Sequence, residues 1–413
     1  MPAWYPRYVL SVLVVVYVLN FLDRQILSIL NEHIKADLGL TDAQMGFLFG
    51  TAFAVFYALF GIPLGRLADV WVRRSLISVG LAFWSAMTAI SGLSQNFTHI
   101  ALARIGVGIG EASASPAAFS LLSDWFPPRR RATVLAIYSS GIYIGAGCGL
   151  MIGGQIVDRW NAAFTPGTAP YGLRGWQVAF FAVGLPGLAL AAWVRTLREP
   201  ARGQGHEAAS ATRTPMAEFL HELQAVLPPL TAWTAMREGG SAALARNLAG
   251  AAVVTVIAWM LTIWSGDAAQ WGALAIGSYA AFSWTQSLER RSPEAAEVIF
   301  GTATLRWAGL GFGFLSFTGY AVGYWAAPYF MRVHAVSASE VGFVVGGVAA
   351  AAGWLGVTAG GALADAWRAR SIRGRLYTGM LAAALTPPLL GAMLAAPNTT
   401  AAFVLNAPVT FVS

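Results

Sequence analysis

Asp23 and Arg24 stand side by side inside an apolar run at 8–30, and Arg104 and Glu111 sit within a second at 98–124. A charge at the centre of a bilayer-spanning segment costs about 2.5–3.5 kcal/mol on insertion scales, so such residues are rare and mark ion, proton or ligand pathways. Arg24 lies about 22–24 Å along its run at 1.5 Å per residue. Its planar guanidinium suits a phosphate or carboxylate headgroup. Arg24 and Glu111 are therefore candidate substrate contacts, with Asp23 or Glu111 the candidates to change protonation. Arg104 lies two turns before Glu111, on a similar face. The competing reading is a permanent salt bridge of Arg24 or Arg104 to a carboxylate. It is the weaker one, because an apolar pair locks helices at lower cost.

Asp69, Arg73 and Arg74 follow another apolar run, where a charge network can hold one end of a bundle closed. They read as gating residues, together with Arg104 and with Asp365, which repeats Asp69. For Arg73 and Arg74, setting the topology alone is an equal alternative. Tyr138, Tyr143, Tyr320, Tyr324 and Trp325 are candidates to line a lipid-accepting cavity, against ordinary packing or an interface belt. Arg306, at the start of a run, reads as snorkelling. His33 and His334 have no partners at ligand spacing, so no metal is expected. A phosphate-cradling Gly-x-x-x-x-Gly-Lys-Ser/Thr loop is absent, and so are His-Glu-x-x-His and a Gly-x-Ser-x-Gly triad. Neither a cofactor nor an enzyme activity is expected.

These residues need a frame that tolerates them. The chain has 413 residues, 57% hydrophobic and only 11% charged, against about a quarter charged in soluble domains; its mean hydropathy is +0.59. That excludes a soluble enzyme, a disordered chain and a disulfide scaffold; Cys148 is the one cysteine. Helical spans of about 20 apolar residues are predicted at 8–30, 45–66, 75–94, 98–124, 132–157, 175–196, 247–265, 270–288, 302–330, 340–364 and 376–396, with another run from 400. The net charge of +7 comes almost entirely from arginine, and the arginines cluster in loops after even-numbered spans. The positive-inside rule then places the N-terminus and those loops in the cytoplasm. Nucleic-acid binding is not implied. Glycines at 106, 108 and 110, and at 141, 145, 147, 149, 153 and 154, predict close helix packing. Residues 202–214 read as a linker, and 216–227 as a surface helix with Phe219, Leu220, Leu223 and Leu227 on one side.

Residues 65–75 (GRLADVWVRRS) and 361–371 (GALADAWRARS) match at seven of eleven positions, 296 residues apart. Each copy closes an apolar run at an equivalent place, which implies parallel repeats with a substrate site between two bundles.

The element Gly61-(x)3-Gly65-Arg66-Leu67-Ala68-Asp69-(x)3-Arg73-Arg74 resembles the loop 2–3 signature of the major facilitator superfamily. Arg104-Ile-Gly-Val-Gly-Ile-Gly-Glu111-Ala resembles that superfamily's helix 4 signature. Asn20-Phe-Leu-Asp23-Arg24, with Gly110-Glu111-Ala112, is similar to the spinster branch. The likeness covers 8–198 and about 302–396. It implies an all-α membrane fold of two parallel-repeat bundles, working as a secondary transporter by alternating access. Its implied substrates are amphipathic lipid-like anions, lysophospholipids or sphingoid phosphates, coupled to protons. A small organic anion, such as a carboxylate or sugar acid, is the alternative; a non-transporting receptor or scaffold is the alternative of another class. The glycine-rich 141–154 run resembles helix 5 of exchangers without its closing Gly-Pro.

The organisation expected is a six-helix bundle at 1–198, a cytoplasmic linker with an amphipathic helix at 199–245, an inserted transmembrane pair at 246–291 and an incomplete second bundle at 292–413. The family has twelve helices, so the chain reads as C-terminally truncated. In the family the loop 2–3 aspartate works partly against the eleventh helix, which leaves the partner of Asp69 open. The expected setting is a bacterial cytoplasmic (inner) membrane, as a monomer among membrane lipids.

Overall fold

The computed structural model describes residues 2, 4–165, 167–202 and 214–412. The part of the linker at 203–213 lies outside them. Every predicted apolar run forms a helix. The helices are α1 (Tyr5–Leu38), α2 (Asp42–Phe49), α3 (Thr51–Val70), α4 (Arg73–Ser91), α5 (Phe97–Glu111), α6 (Ala114–Trp125), α7 (Pro128–Ser139), α8 (Gly141–Ala163), α9 (Gly175–Arg195), α10 (Pro215–Val226), α11 (Leu230–Ser265), α12 (Ala268–Arg291), α13 (Pro293–Ala296), α14 (Ala303–Val333), α15 (Ala338–Arg370), α16 (Gly374–Leu394) and α17 (Thr399–Val412). No strand occurs among the described residues. The fold is all-α and of the multi-pass membrane type.

Among the described residues, eight helices are long and apolar enough to cross a membrane, counting α2–α3, α5–α6 and α7–α8 as one each. A ninth is the segment Pro293–Gly301 joined to α14 across a 62° bend. The predicted spans at 75–94 and 270–288 are helical but too polar to pass alone. α4 opens on Arg73 and Arg74 and carries Ser75, Ser78, Ser85, Thr88 and Ser91; α12 carries Gln270, Ser278, Ser283, Gln286 and Ser287. Several of these are buried, so protein rather than lipid receives them. Ser78 Oγ, for example, donates to the Ala191 carbonyl at 2.8 Å.

The two copies of the repeat both end a helix, but not at the same place. α3 stops at Val70, with the Trp71 amide bonded to the Leu67 carbonyl at 2.8 Å. α15 runs one turn further, to Arg370. The first copy meets β-branched Val70 and Val72 there, whereas the second has Ala366, Arg368 and Ala369, which are better helix formers.

The chain packs as two compact units, each drawn from separate stretches. Unit 1 comprises Met1–Val12, Leu40–Leu135 and Gly184–Gly309; unit 2 comprises Leu13–Gly39, Ala136–Val183 and Leu310–Ser413. In unit 1, α5 lies against α3 and α4. A Cβ on Gly108 would stand 2.6 Å from the Phe53 carbonyl oxygen, so the predicted glycine seam is a backbone contact. α10 and α12 pack on α3 through Val55, Leu59, Val226 and Ala280. On α10, Ala225 and Val226 are buried, Phe219, Leu223 and Leu227 are half-buried and Leu220 is exposed. Glu218 meets Arg66 at 3.7 Å and Glu222 meets Arg291 at 2.7 Å.

In unit 2, α8 is the centre. Gly145 and Gly149 receive the backbone of α1 at Val18 and Leu22, and Gly147 and Gly154 receive that of α15 at Gly346 and Ala338. A Cβ on Gly147 would lie 2.4 Å from the Gly346 carbonyl oxygen. Spacings of four put one glycine set on one face, and a spacing of seven puts the other on a second face. At one end, Asp158 of α8 accepts from the Ser339 amide at 2.7 Å and its hydroxyl at 2.6 Å, where α15 begins.

Candidate functional site

In unit 1, Arg73 is the hub of a charge network. Its side chain is 1% exposed; Nε donates to Glu199 at 2.7 Å, and Nη1 donates to Asp124 and, at 3.0 Å, to Ser120. Val72, the residue that caps α4, supplies no side-chain bond. Glu199 fills the gap: its carboxylate accepts from the backbone amides of Arg73 at 3.2 Å and Arg74 at 3.1 Å. A carboxylate at a helix N-terminus is favoured by the free amides and the dipole. Arg202 does the converse for α3. Its guanidinium donates to the carbonyls of Ala68, Asp69 and Trp71, which are the orphan acceptors of that helix end. Burial, and then the neighbouring Arg73, pull the Arg202 guanidinium below its ordinary range, while Glu199, Asp69 and Asp124 pull it back. Arg74 Nη1 donates to the Leu197 carbonyl. The segment after α9 therefore clamps the α3–α4 turn from both sides. Asp69 is exposed, and its carboxylate has no ion pair among the described residues.

Glu111 and Arg104 are also in unit 1, 0% and 1% exposed. Arg104 lies over the Phe53 ring, 5.6 Å from its centroid.

In unit 2, Asp23 is fully buried on α1, and the Arg24 guanidinium lies 4.8 Å over the Phe21 ring. Beyond them α1 presents a polar ridge to α14. Gln25 Nε2 donates to the Gly323 carbonyl at 2.6 Å, Ser28 Oγ to the Tyr324 carbonyl at 2.5 Å and Asn31 Nδ2 to the Tyr324 hydroxyl at 2.5 Å. Arg332 pairs with Glu32 at 2.6 Å. Tyr324, predicted to line a cavity, is thus bonded into this seam. Tyr143 packs on Gly353, Tyr138 stacks on Tyr17 at 4.3 Å, and Tyr320 is 53% exposed. Asp365 pairs with Arg375 at 2.9 Å, with both side chains exposed. No group of three or more metal ligands occurs among the described residues.

The structure joins Arg73 and Arg74 through Glu199, a residue the sequence reading passed over along with Asp124, Arg202 and the α1 ridge. The ridge left a readable trace: Gln25 and Ser28 lie at helical spacing inside an apolar run, and Glu32 follows one turn later. Glu199 and Arg202 left none, since they lie more than 100 residues from the turn they clamp.

Over the whole of this chain and 73% of its own, a solved bacterial homologue of the human lysosomal transporter Spinster, inward-facing and unoccupied, is similar at TM-score 0.69 and 27% identity. An MFS-type efflux pump of Mycolicibacterium smegmatis is 36% identical over 37% of this chain and 36% of its own. The hexuronate transporter of Bacillus subtilis is 31% identical over 44% of this chain and 40% of its own. The chain spans less than half the length of these curated relatives. The profile of the Major Facilitator Superfamily matches residues 13–384; the chain belongs to that superfamily, and the likeness to the spinster homologue supports the spinster-like branch.

Proposed function

We propose that this chain works as a secondary active transporter for amphipathic lipid-like anions of the lysophospholipid or sphingoid-phosphate type, by alternating access and with proton coupling. The observation that carries the reading is the burial of Asp23, Glu111 and Arg104 within apolar helices, at 0%, 0% and 1% exposure. Ionisable groups at that depth are retained where they serve a ligand or proton path. Likeness to the spinster homologue along the full chain supports the transporter reading, and the lipid substrate rests on the resemblance of the Asn20–Arg24 and Gly110–Ala112 elements to the spinster branch.

In this reading Arg24 contacts the anionic headgroup, and Glu111, Tyr143, Tyr320 and Tyr324 are the further substrate contacts. Asp23 and Glu111 carry the coupling proton. Asp69, Arg73, Arg74, Arg104 and Asp365 gate. Residues 1–198 and 292–413 are the two bundles, 199–245 the linker and 246–291 an accessory pair. The protein lies in a bacterial inner membrane, as a monomer with its N-terminus in the cytoplasm. A second reading, a small sugar acid as substrate, is favoured by the identity with the hexuronate transporter.

The test is uptake into proteoliposomes under an imposed pH gradient, with a labelled single-chain phospholipid against labelled hexuronate, for the wild type and Arg24→Ala. Gradient-driven lipid flux lost in the variant is the expected result. Hexuronate flux alone would replace the substrate and keep the mechanism. Flux of neither would sink the transport reading in favour of a non-transporting receptor.

A further inference from the structure

The last two turns of α12 carry more hydrogen-bond donors than the protein supplies acceptors for. Gln286 and Ser287 are both 1% exposed, yet Gln286 Nε2 and Ser287 Oγ have no partner among the described residues, and neither has the buried Nε of Arg290. Buried donors left this way are costly. Gln286 and Arg290 lie one turn apart on one face, and both turn towards α11. Gln286 accepts from Asn247 at 3.1 Å, and Arg290 Nε lies 3.4 Å from where a Cβ on Gly239 would stand. Arg290 has no ion pair among the described residues. The four acidic side chains of α10, α11 and α12 are already paired, Glu218 with Arg66, Glu222 with Arg291, Glu238 with Arg237 and Glu289 with Arg246. Next to the Gly239 contact, α11 is broken at Gly240, whose φ of 69° and ψ of −167° are not helical. A Cβ on Gly240 would meet nothing within 4 Å. A helix that restarts after such a break has first amides without intrahelical acceptors, and these favour an anion.

We propose that this corner, between the break in α11 and the end of α12, holds the phosphate of an anionic membrane lipid. Arg290 supplies the charge, and Gln286, Ser287 and the amides after Gly240 supply neutral donors. A phosphate has the acceptor oxygens to meet them. Such a group reaches the site from a lipid or from solution, and α11 points to the lipid. It is long and apolar enough to cross a membrane, and none of its apolar window is buried. Beyond the break Leu248, Val253 and Val256 are exposed, so the acyl chains of a lipid held at Gly240 have an apolar helix face to lie along. Before the break Trp233 is exposed, a residue type enriched at the headgroup level. Basic pockets between the ends of transmembrane helices recognise anionic headgroups in this way. The site lies apart from the buried ionisable groups assigned to transport and does not depend on them.

The test is native mass spectrometry of the full chain released from detergent micelles, with added phosphatidylglycerol, phosphatidylcholine or glycerol phosphate. The fraction bound is read against concentration. The wild type should hold phosphatidylglycerol about tenfold more tightly than phosphatidylcholine, whose choline cation opposes Arg290. Arg290→Gln should weaken phosphatidylglycerol about tenfold or more, because charge-assisted bonds are lost. Ser287→Ala, which removes one neutral donor, should weaken it about threefold. Arg246→Gln makes the same change of charge at a side chain that is 57% exposed and paired with Glu289, and should alter binding by less than about twofold. Equal weakening by Arg290→Gln and Arg246→Gln, no preference between the two lipids, or no lipid retained overturns the proposal. Glycerol phosphate held as tightly as phosphatidylglycerol would overturn the lipid and leave a site for a soluble phosphate. Where Arg290→Gln is not monodisperse, Ser287→Ala against Arg246→Gln carries the same contrast.

Discussion

Arg73→Lys separates geometry from topology. Lysine keeps the positive charge, so a residue that acts only by setting membrane orientation tolerates the change. The structure asks more of Arg73. Its Nε and Nη1 reach two different carboxylates, Glu199 at 2.7 Å and Asp124, and Nη1 also reaches Ser120 at 3.0 Å. An ammonium is a point donor and cannot span that fork. It keeps one carboxylate and releases the other, and a hydrogen bond to a charged group contributes about 1.5–3 kcal/mol. The side chains of Asp124 and Glu199 are 10% and 23% exposed, so water recovers only part of the loss. The expected cost is about 2–4 kcal/mol. At about 2 °C per kcal/mol for a unit of this size, the melting point in detergent should fall roughly 4–8 °C. Arg74→Lys is the control: Arg74 is less buried, and its head group reaches the Leu197 carbonyl, so a drop of about 2 °C or less is expected. Protease mapping should find the orientation of both variants unchanged. Equal shifts for the two, or a silent Arg73→Lys, would refute the network and leave topology as the explanation.

Gly147→Val should break the α8–α15 seam, since even a Cβ would stand 2.4 Å from the Gly346 carbonyl; loss of monodisperse protein on size exclusion is expected, whereas Gly360→Val, in open space, should be neutral. Asn247→Leu should separate α11 from α12. It strips the buried partners of Ser283 at 2.9 Å, Gln286 at 3.1 Å and Tyr279 at 2.6 Å, for about 1–3 kcal/mol, read as a melting shift larger than that of Val253→Leu on the exposed face. On the transport proposal, Glu111→Gln should abolish flux driven by a pH gradient while leaving substrate binding within about tenfold, measured by equilibrium exchange; unchanged driven flux would remove Glu111 from proton coupling.

The parts legible in the sequence were those written in local pattern. Apolar runs of the right length became helices because in lipid only a helix satisfies its own backbone. The surface helix predicted at 216–227 is α10 at Pro215–Val226, started by Thr214, whose hydroxyl accepts from the Ala217 amide at 3.4 Å, with Pro215 next to it. What local pattern does not show is where this helix docks, which involves the pairs of Glu218 with Arg66 and Glu222 with Arg291. Glycine spacing on α8 predicted close packing, since the absence of a side chain is itself the signal, and the structure shows which two faces it serves.

What stayed hidden was long-range substitution of one donor or acceptor for another. Glu199 caps α4 because Val72 cannot, and Arg202 caps α3. In each case the sequence shows the deficit — a valine at a cap, a helix end without glycine — but not the residue that meets it. Buried backbone groups must be satisfied somewhere, so each deficit in a membrane helix predicts a partner of known polarity at an unknown position. At the α3–α4 turn the two partners arrive on one short segment after α9, so both ends of the signature loop depend on it.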